Sequence, residues 1–272
     1  MSSVSEWKKR GISFTYFLKK EQKICKYTRK NYKQENVLFK RAIDLHINSI
    51  GYAFDLLYES NKDIFYDAFI RLSVKILHNA ESIRNLIDSG LYGSASIIYR
   101  TLMFDTFMIW YLYFNPQLIE EWTNEKFITS KDRRWRDKFS EKTIIKDLKI
   151  KGRKYRLSLD YETDFVFYSK VAHPTYFGIR FFQNRNGELA YLPEFNMEVG
   201  HLLFLKVLGL LPYSTQVLIE KSNDVNCSNQ RLGILKTEYN SLMVILNKLG
   251  EIAAKFHKDY LRARDRRGII ET

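Results

Sequence analysis

Apolar residues recur at helical spacing along most of the chain. From residue 37 to residue 58, and again from residue 64 to residue 87, they fall on one face of a helix. Asn61 is the expected N-cap of the second helix, because its side chain can accept a free N–H group, and Gly90 is the expected C′ residue. The pattern therefore predicts two long amphipathic helices.

The next stretch predicts the most buried helix of the molecule. Residues 94–114 are apolar on nearly every side, with Ser94 as the expected N-cap. Asn115-Pro116 then opens a short helix that reaches Trp122. The connections between these helices are only a few residues long, which is typical of antiparallel neighbours in a bundle.

The second half of the chain predicts more helices and one hairpin. Two short amphipathic helices are expected after Ser130 and Ser140. Longer helices are expected at residues 159–173, 197–222 and 232–264. Asn186-Gly187 indicates a tight turn between two short strands. The predicted fold class is therefore all-α, an antiparallel helical bundle with a small inserted β-hairpin near residues 178–192.

Composition agrees with this assignment. Four Pro and 12 Gly in 272 residues are too few for the turns of an all-β fold. The 19 Phe, 18 Tyr and 4 Trp supply enough apolar surface to exclude a mainly disordered chain. We expect a basic N-terminal arm, residues 1–35, and a single helical-bundle domain, residues 36–272, that carries a basic segment at residues 126–156.

Cysteine usage and hydropathy predict a cytoplasmic protein. Two cysteines without CxxC spacing form neither a disulfide framework nor a zinc site, so no metal or other cofactor is expected. The longest apolar stretch, residues 97–114, contains Arg100 and Asp105, whereas a membrane span needs about 20 residues with few charges. No membrane partner is expected.

Positive charge is concentrated in a few segments. The chain has 44 Lys and Arg against 31 Asp and Glu, a net charge of +13. Residues 1–35 hold ten basic and three acidic residues, and residues 126–156 hold 13 basic and four acidic residues. Such clusters favour a polyanion, because neutralised phosphates release counterions; the alternative is charge that only keeps the surface solvated. The candidate nucleic-acid-binding residues are Lys131, Arg133, Arg134, Arg136, Lys151, Arg153, Lys154 and Arg156.

The common catalytic motifs do not occur in the sequence. It has no P-loop, no dinucleotide-binding glycine loop, no HExxH and no GxSxG. An Arg and a His a few residues apart on a helix can cleave RNA without a metal, because the imidazole moves the 2′-hydroxyl proton and the guanidinium stabilises the phosphorane. Two such pairs occur, Arg41 with His46 and Arg71 with His78. The alternative for each is a surface arginine beside a partly buried histidine.

One block of sequence carries a family resemblance. The stretch HNAESIRNLIDSGLYGSASIIYRTLMFDTFMIWYLYFNP is followed later by FYSKVAHPTYFG, and the matching positions are Gly90, Arg100, Tyr168 and His173. Over residues 40–182 this arrangement resembles a poorly characterised bacterial family of helical domains and, more remotely, is similar to the HEPN superfamily. The resemblance implies a HEPN-like bundle, a dimer, and a metal-independent ribonuclease of phage-defence or toxin type.

The chain departs from that family pattern in two places. In the HEPN motif four to six residues separate an arginine from the histidine that follows it, whereas here Lys170 is the basic residue that precedes His173. The acid expected four residues after the central arginine is replaced by Phe104, with Asp105 one position later. The first departure argues against the ribonuclease activity that is usual in the HEPN superfamily. The second argues against an ion pair between Arg100 and an acid four residues later.

Two functional hypotheses follow. The first is a nucleic-acid-directed protein, a ribonuclease-like effector with Arg100, Lys170 and His173 lining its cleft and Arg71 and His78 as the alternative pair. The second is a non-enzymatic helical interaction protein that docks on RNA or on an acidic protein partner. A homodimer is compatible with either hypothesis, and RNA is the expected nucleic acid.

Two of these residues also have structural interpretations. Arg100 is expected to be mostly buried and therefore paired, with Asp105, Glu81 and Asp88 as the candidate carboxylates. His173 precedes Pro174 and is expected either to act in a cleft or to cap the end of its helix, where an imidazolium complements the helix dipole.

Overall fold

The computed structural model describes residues 14–59, 63–123, 137–155, 197–224 and 230–266. Within these ranges the regular structure is entirely helical, which confirms the predicted all-α class. The predicted hairpin at 178–192 and the predicted helix at 159–173 lie outside the described residues, as does nearly all of the short helix expected after Ser130.

The described part of the chain contains eight α-helices and two short 3-10 turns. The turns are Pro116–Leu118 and Arg153–Tyr155. The helices are α1 Phe14–Asn31, α2 Lys33–Glu59, α3 Ile64–Asp88, α4 Tyr92–Phe114, α5 Ile119–Thr123, α6 Glu141–Lys151, α7 Met197–Asp224 and α8 Gln230–Arg266.

Some helix ends lie at the residues that the sequence predicts, and others do not. Gly90 follows α3 with a φ of 75°, as expected for a C′ glycine. Asn61 is not the N-cap of α3, because Asp63 fills that role and its carboxylate accepts the N–H of Phe65. Ser94 is not the N-cap of α4 either, since that helix begins at Tyr92 and has no side-chain cap.

The core lies where α2, α3, α4 and α7 meet. Helix α4 packs on α3 and α7, and α2 packs on the same two helices from the other side. Trp110 of α4, Phe69 of α3 and Phe204 of α7 are among the largest fully buried side chains. Burying aromatic and aliphatic side chains of this size is the main favourable contribution to folding, so these four helices form the stable centre of the bundle.

Helix α1 continues into α2 with only a local irregularity at Tyr32. The N–H of Tyr32 donates to Thr28, and the N–H of Asn36 donates to Tyr32, so the helical hydrogen-bond pattern passes through the junction. Tyr32 is fully buried beside Gly200 of α7, where a Cβ would collide with its hydroxyl. The junction is therefore fixed to the bundle, and the side chains of α1 and α2 keep a common helical register.

Helix α7 contains a long apolar stretch. Within Val199–Asn223, an 18-residue window has a mean hydropathy of 1.7, and 67% of that window is buried inside the molecule. It is the one described helix that is long and apolar enough to cross a membrane. Pro212 lies inside this helix and does not end it.

Candidate functional site

Five lysines form a continuous row on one face of α1 and the start of α2. Since the helical register continues through Tyr32, residues spaced by three or four positions share a face. Each of the five is exposed, and no hydrogen bond or ion pair engages any of them among the described residues. This lysine stripe consists of Lys19, Lys23, Lys26, Lys30 and Lys33.

Few carboxylates oppose the lysine stripe. Helix α1 itself contains one acidic residue, Glu21. Glu35, at the start of α2, is engaged by His201 of α7, whose Nδ1 lies 2.7 Å from Glu35 Oε1. From Lys19 to Lys33 the helix advances by 14 positions, which corresponds to about 21 Å at the helical rise per residue. The stripe is therefore a linear, positively charged surface whose lysines have no ion-pair partner in the described part of the chain.

An open groove of about 610 Å³ lies at the C-terminal end of the stripe. Helix α2 provides most of its lining, α1 contributes one residue and the end of α3 contributes two. We call this the basic groove, because five cationic residues and two carboxylates line it. Its residues are Arg29, Lys33, Asn36, Val37, Lys40, Arg41, Asp44, Arg84 and Asp88.

Asp88 organises two of the arginines in the basic groove. Its side chain is 2% exposed, and its Oδ2 accepts Arg29 Nε at 3.2 Å and Arg84 Nη1 at 3.5 Å. Its Oδ1 is buried and has no hydrogen-bond partner among the described residues. A buried carboxylate has to be neutralised, so the two guanidinium groups are held against it.

The two arginines that bind Asp88 differ in their remaining contacts. Arg84 also donates from Nε to Glu81 and from Nη2 to Asn85, so every nitrogen of its guanidinium is engaged. Arg29 donates only from Nε, to Asp88, among the described residues, and its side chain remains 66% exposed. Arg84 is therefore a structural residue, whereas the two terminal nitrogens of Arg29, which lines the groove, have no partner within the described ranges.

Arg100 has a different partner from those expected. It is 27% exposed, and its Nη2 lies 2.6 and 2.9 Å from the two carboxylate oxygens of Glu141 in α6. Asp88 is occupied by Arg29 and Arg84, and Glu81 by Arg84. Arg100 is therefore mostly buried and paired with a carboxylate, as predicted, but the three candidate carboxylates were wrong, because helix α6 packs on α4 and brings in an acid from a distant part of the sequence.

Asp105, the third expected partner, pairs with α3 instead. Lys75 Nζ lies 2.8 Å from its Oδ1, and Asn79 donates to its Oδ2 at 3.2 Å. Burial raises the pKa of the Asp105 carboxyl, and the contacts with Lys75 and Asn79 act in the opposite direction. This ion pair ties α3 to α4 inside the bundle.

The two Arg–His pairs suggested by the sequence do not form a shared cleft. His46 is fully buried, with Nε2 2.8 Å from the Ser73 carbonyl oxygen, whereas Arg41 is exposed and reaches Ser241. Arg71 and His78 are both exposed on α3, and Arg71 donates to Asp67. The first pair is therefore divided between core and surface, and the second lies on the open face of a helix.

Three of the eight candidate residues of the basic segment are described. Lys151 donates to Asn115 and pairs with Asp147, and Lys154 lies 5.1 Å from the centre of the Tyr155 ring. Arg153 is exposed in the second 3-10 turn. The remaining candidates lie outside the described residues: Lys131, Arg133, Arg134, Arg136, Arg156, Lys170 and His173, together with Tyr168.

Comparison with known protein families, curated proteins and solved structures identifies no relative of this chain. The sequence matches no protein-family model, and it has no significant match among curated proteins or solved structures. The described residues contain no group of three His, Cys, Asp or Glu side chains arranged to hold a metal ion. The described part of the chain is thus characterised by its own geometry, as a helical bundle with a lysine-lined edge and a basic groove.

Proposed function

We propose that this chain is a nucleic-acid-binding protein that contacts the phosphate backbone through the lysine stripe. One observation carries the proposal: five exposed lysines, none with a described partner, share one helical face over about 21 Å. Lysine side chains at this spacing can neutralise successive phosphates, and the released counterions favour binding. Because lysine contacts a phosphate as a point charge, this surface selects a backbone and not a base sequence.

Two double variants, one in the lysine stripe and one in α8, each remove two positive charges and test whether the stripe binds RNA. We expect Lys23→Gln with Lys26→Gln to weaken binding of a labelled single-stranded RNA by about tenfold, because two phosphate contacts are lost. The matched control, Lys236→Gln with Lys248→Gln, removes two charges from α8 and should change affinity much less. Equal affinities of the two double variants, measured by fluorescence anisotropy at one salt concentration, would contradict the proposal.

The same assay separates nucleic acid from an acidic protein partner. Polyglutamate of equal charge is added as a competitor to the RNA complex. We expect it to compete poorly, because its carboxylates sit on flexible side chains and not along a regular backbone. Competition as strong as that of unlabelled RNA would assign the stripe to an acidic protein instead.

Ribonuclease activity, suggested by the sequence resemblance, stays a prediction. The residues that would carry it, Lys170 and His173, lie outside the described residues. Arg100, the third member of that set, is engaged by Glu141. The proposal is therefore limited to binding.

A further inference from the structure

We propose that the basic groove is a binding site for a phosphate monoester, such as the terminal phosphate of a nucleic-acid strand. This inference rests in part on the proposed function, because the strand would reach the groove along the lysine stripe. The chemistry of the groove can also be tested alone, with a free nucleoside monophosphate.

The charges that line the groove favour a doubly charged anion. Arg84 and Asp88 neutralise each other, which leaves Arg29, Lys33, Lys40 and Arg41 opposed by Asp44. Those four cationic side chains are exposed, and Lys33 and Lys40 have no partner among the described residues. Among the described residues, the groove lining therefore has an excess of positive charge.

Arg29 is preorganised for this task by the buried carboxylate of Asp88. The 3.2 Å contact from Arg29 Nε to Asp88 fixes the guanidinium plane. Both terminal nitrogens then remain available to an incoming ligand, and a guanidinium binds phosphate through paired N–H groups. Asp88 is thus a positioning residue, and Arg29 is the contact residue.

A monoester fits these donors better than an internal phosphodiester does. A phosphate monoester carries about −1.5 to −2 charge at neutral pH and offers three acceptor oxygens. An internal phosphodiester carries a single charge and has only two oxygens free to accept. The four cationic side chains that line the groove provide more charge and more donors than a diester can use.

The position of the groove also suits a strand end. Lys33 belongs to both the stripe and the groove, so a backbone lying on α1 arrives at the groove where the stripe stops. There the side chains of Arg84 and Asp88, at the end of α3, stand beside the α2 lining. A volume of about 610 Å³ is within the usual range of small-ligand sites and exceeds what one phosphate needs, which leaves room for the terminal nucleoside.

The experiment compares three forms of one short single-stranded RNA, which carry a 5′-phosphate, a 3′-phosphate or hydroxyls at both ends. We expect one phosphorylated form to bind about tenfold more tightly than the hydroxyl form, as charge-assisted hydrogen bonds to the extra oxygens predict. Lys40→Gln with Arg41→Gln should abolish this preference and leave the hydroxyl form bound within about twofold, because the whole lysine stripe is intact. Arg29→Gln, which leaves both of those residues in place, should have the same effect on the preference.

A stripe variant provides the matched control. Lys19→Gln with Lys23→Gln removes the same charge at the far end of the stripe, so it should weaken all three RNAs equally and retain the preference. Absence of any preference in the unmodified protein, or a preference that survives both groove variants, would overturn the inference. Melting temperatures of all variants confirm that each one is folded.

Calorimetry with a nucleoside monophosphate separates this inference from the proposed function. If the unmodified protein binds none of the three RNAs, the proposed function fails. The monoester site in the groove is still supported in that case if the unmodified protein binds the monophosphate and the variant with Lys40→Gln and Arg41→Gln does not. If neither RNA nor monophosphate binds, both proposals fail. A monophosphate that binds as tightly as the preferred RNA would identify a free nucleotide as the ligand and still support a monoester site.

Discussion

At the scale of single residues, Arg100 shows how tertiary contacts revise a prediction about charge. A buried, isolated pair would lose about 3–5 kcal/mol when one partner is removed. The observed pair with Glu141 leaves 27% and 32% of the two side chains exposed, so solvent screens it. A partly exposed ion pair of this kind contributes about 1 kcal/mol or less to the free energy of unfolding. The sequence indicated that Arg100 needs a partner, but only the packing of α6 on α4 shows which partner it has.

His46 gives a residue-scale prediction about pH. Its burial lowers the pKa of the imidazole from 6.5 to about 4, because the charged ring is disfavoured in the core. A folded pKa below the unfolded value means that the contribution to stability is complete above pH 6.5 and is lost as the pH falls towards 4. The loss over this window amounts to about 3 kcal/mol.

Urea unfolding at several pH values between neutral and mildly acidic measures this effect. We expect His46→Gln to be less stable than the unmodified protein at neutral pH, because the contacts with Ser73 and Ser214 are disturbed. Its unfolding free energy should nevertheless fall less on acidification, since the titrating group is gone. Parallel pH curves for the two proteins would show that His46 does not titrate on unfolding.

At the scale of elements, helix ends were predictable where the signal is local. The amphipathic helix expected after Ser140 is α6: the Oγ of Ser140 accepts the N–H of Thr143, and Ile144 and Leu148 on one side of the helix are buried. The end of α3 at Gly90 was also correct. The start of α3 was misplaced because Asn61 and Asp63 are both good capping residues, and sequence alone does not rank them.

Two glycine substitutions test the roles of their positions in helices. Gly90→Ala should lower the unfolding free energy by about 1 kcal/mol, because a φ of 75° is unfavourable for a residue with a Cβ. Gly250→Ala should raise it by about 0.5–1 kcal/mol, because Gly250 lies inside α8, where alanine is a better helix former and a Cβ meets no atom within 4 Å. Thermal or urea unfolding of both variants checks the two signs, and equal effects would contradict this assignment.

At the scale of the whole molecule, salt dependence distinguishes a phosphate-binding surface from ordinary solubilising charge. If the five lysines of the stripe each neutralise one phosphate, the logarithm of the association constant for single-stranded RNA should fall with the logarithm of salt concentration with a slope of about −3.5.

The stripe variants should change this slope in a defined way. Lys23→Gln with Lys26→Gln should make it shallower by about 1.4, whereas Lys236→Gln with Lys248→Gln should leave it unchanged. Anisotropy titrations at several salt concentrations provide the measurement. A slope near zero would show that the stripe does not contact phosphates.

The sequence by itself determined the helical class, the extents of most long helices and the concentration of positive charge near the N-terminus. These properties depend on local spacing and composition, which a single chain displays directly. The lysines from Lys19 to Lys33 also recur at helical spacing in the sequence. Hydrophobic periodicity does not reveal this row, because its residues are charged.

Only the tertiary structure decided which side chains meet. The basic groove joins residues of α1, α2 and the end of α3, and Arg29 meets Asp88 across 59 positions of sequence. His46 was separated from Arg41 because one points into the core and the other reaches α8. Such contacts depend on how helices pack against each other, and the periodicity of one helix carries no information about its neighbours.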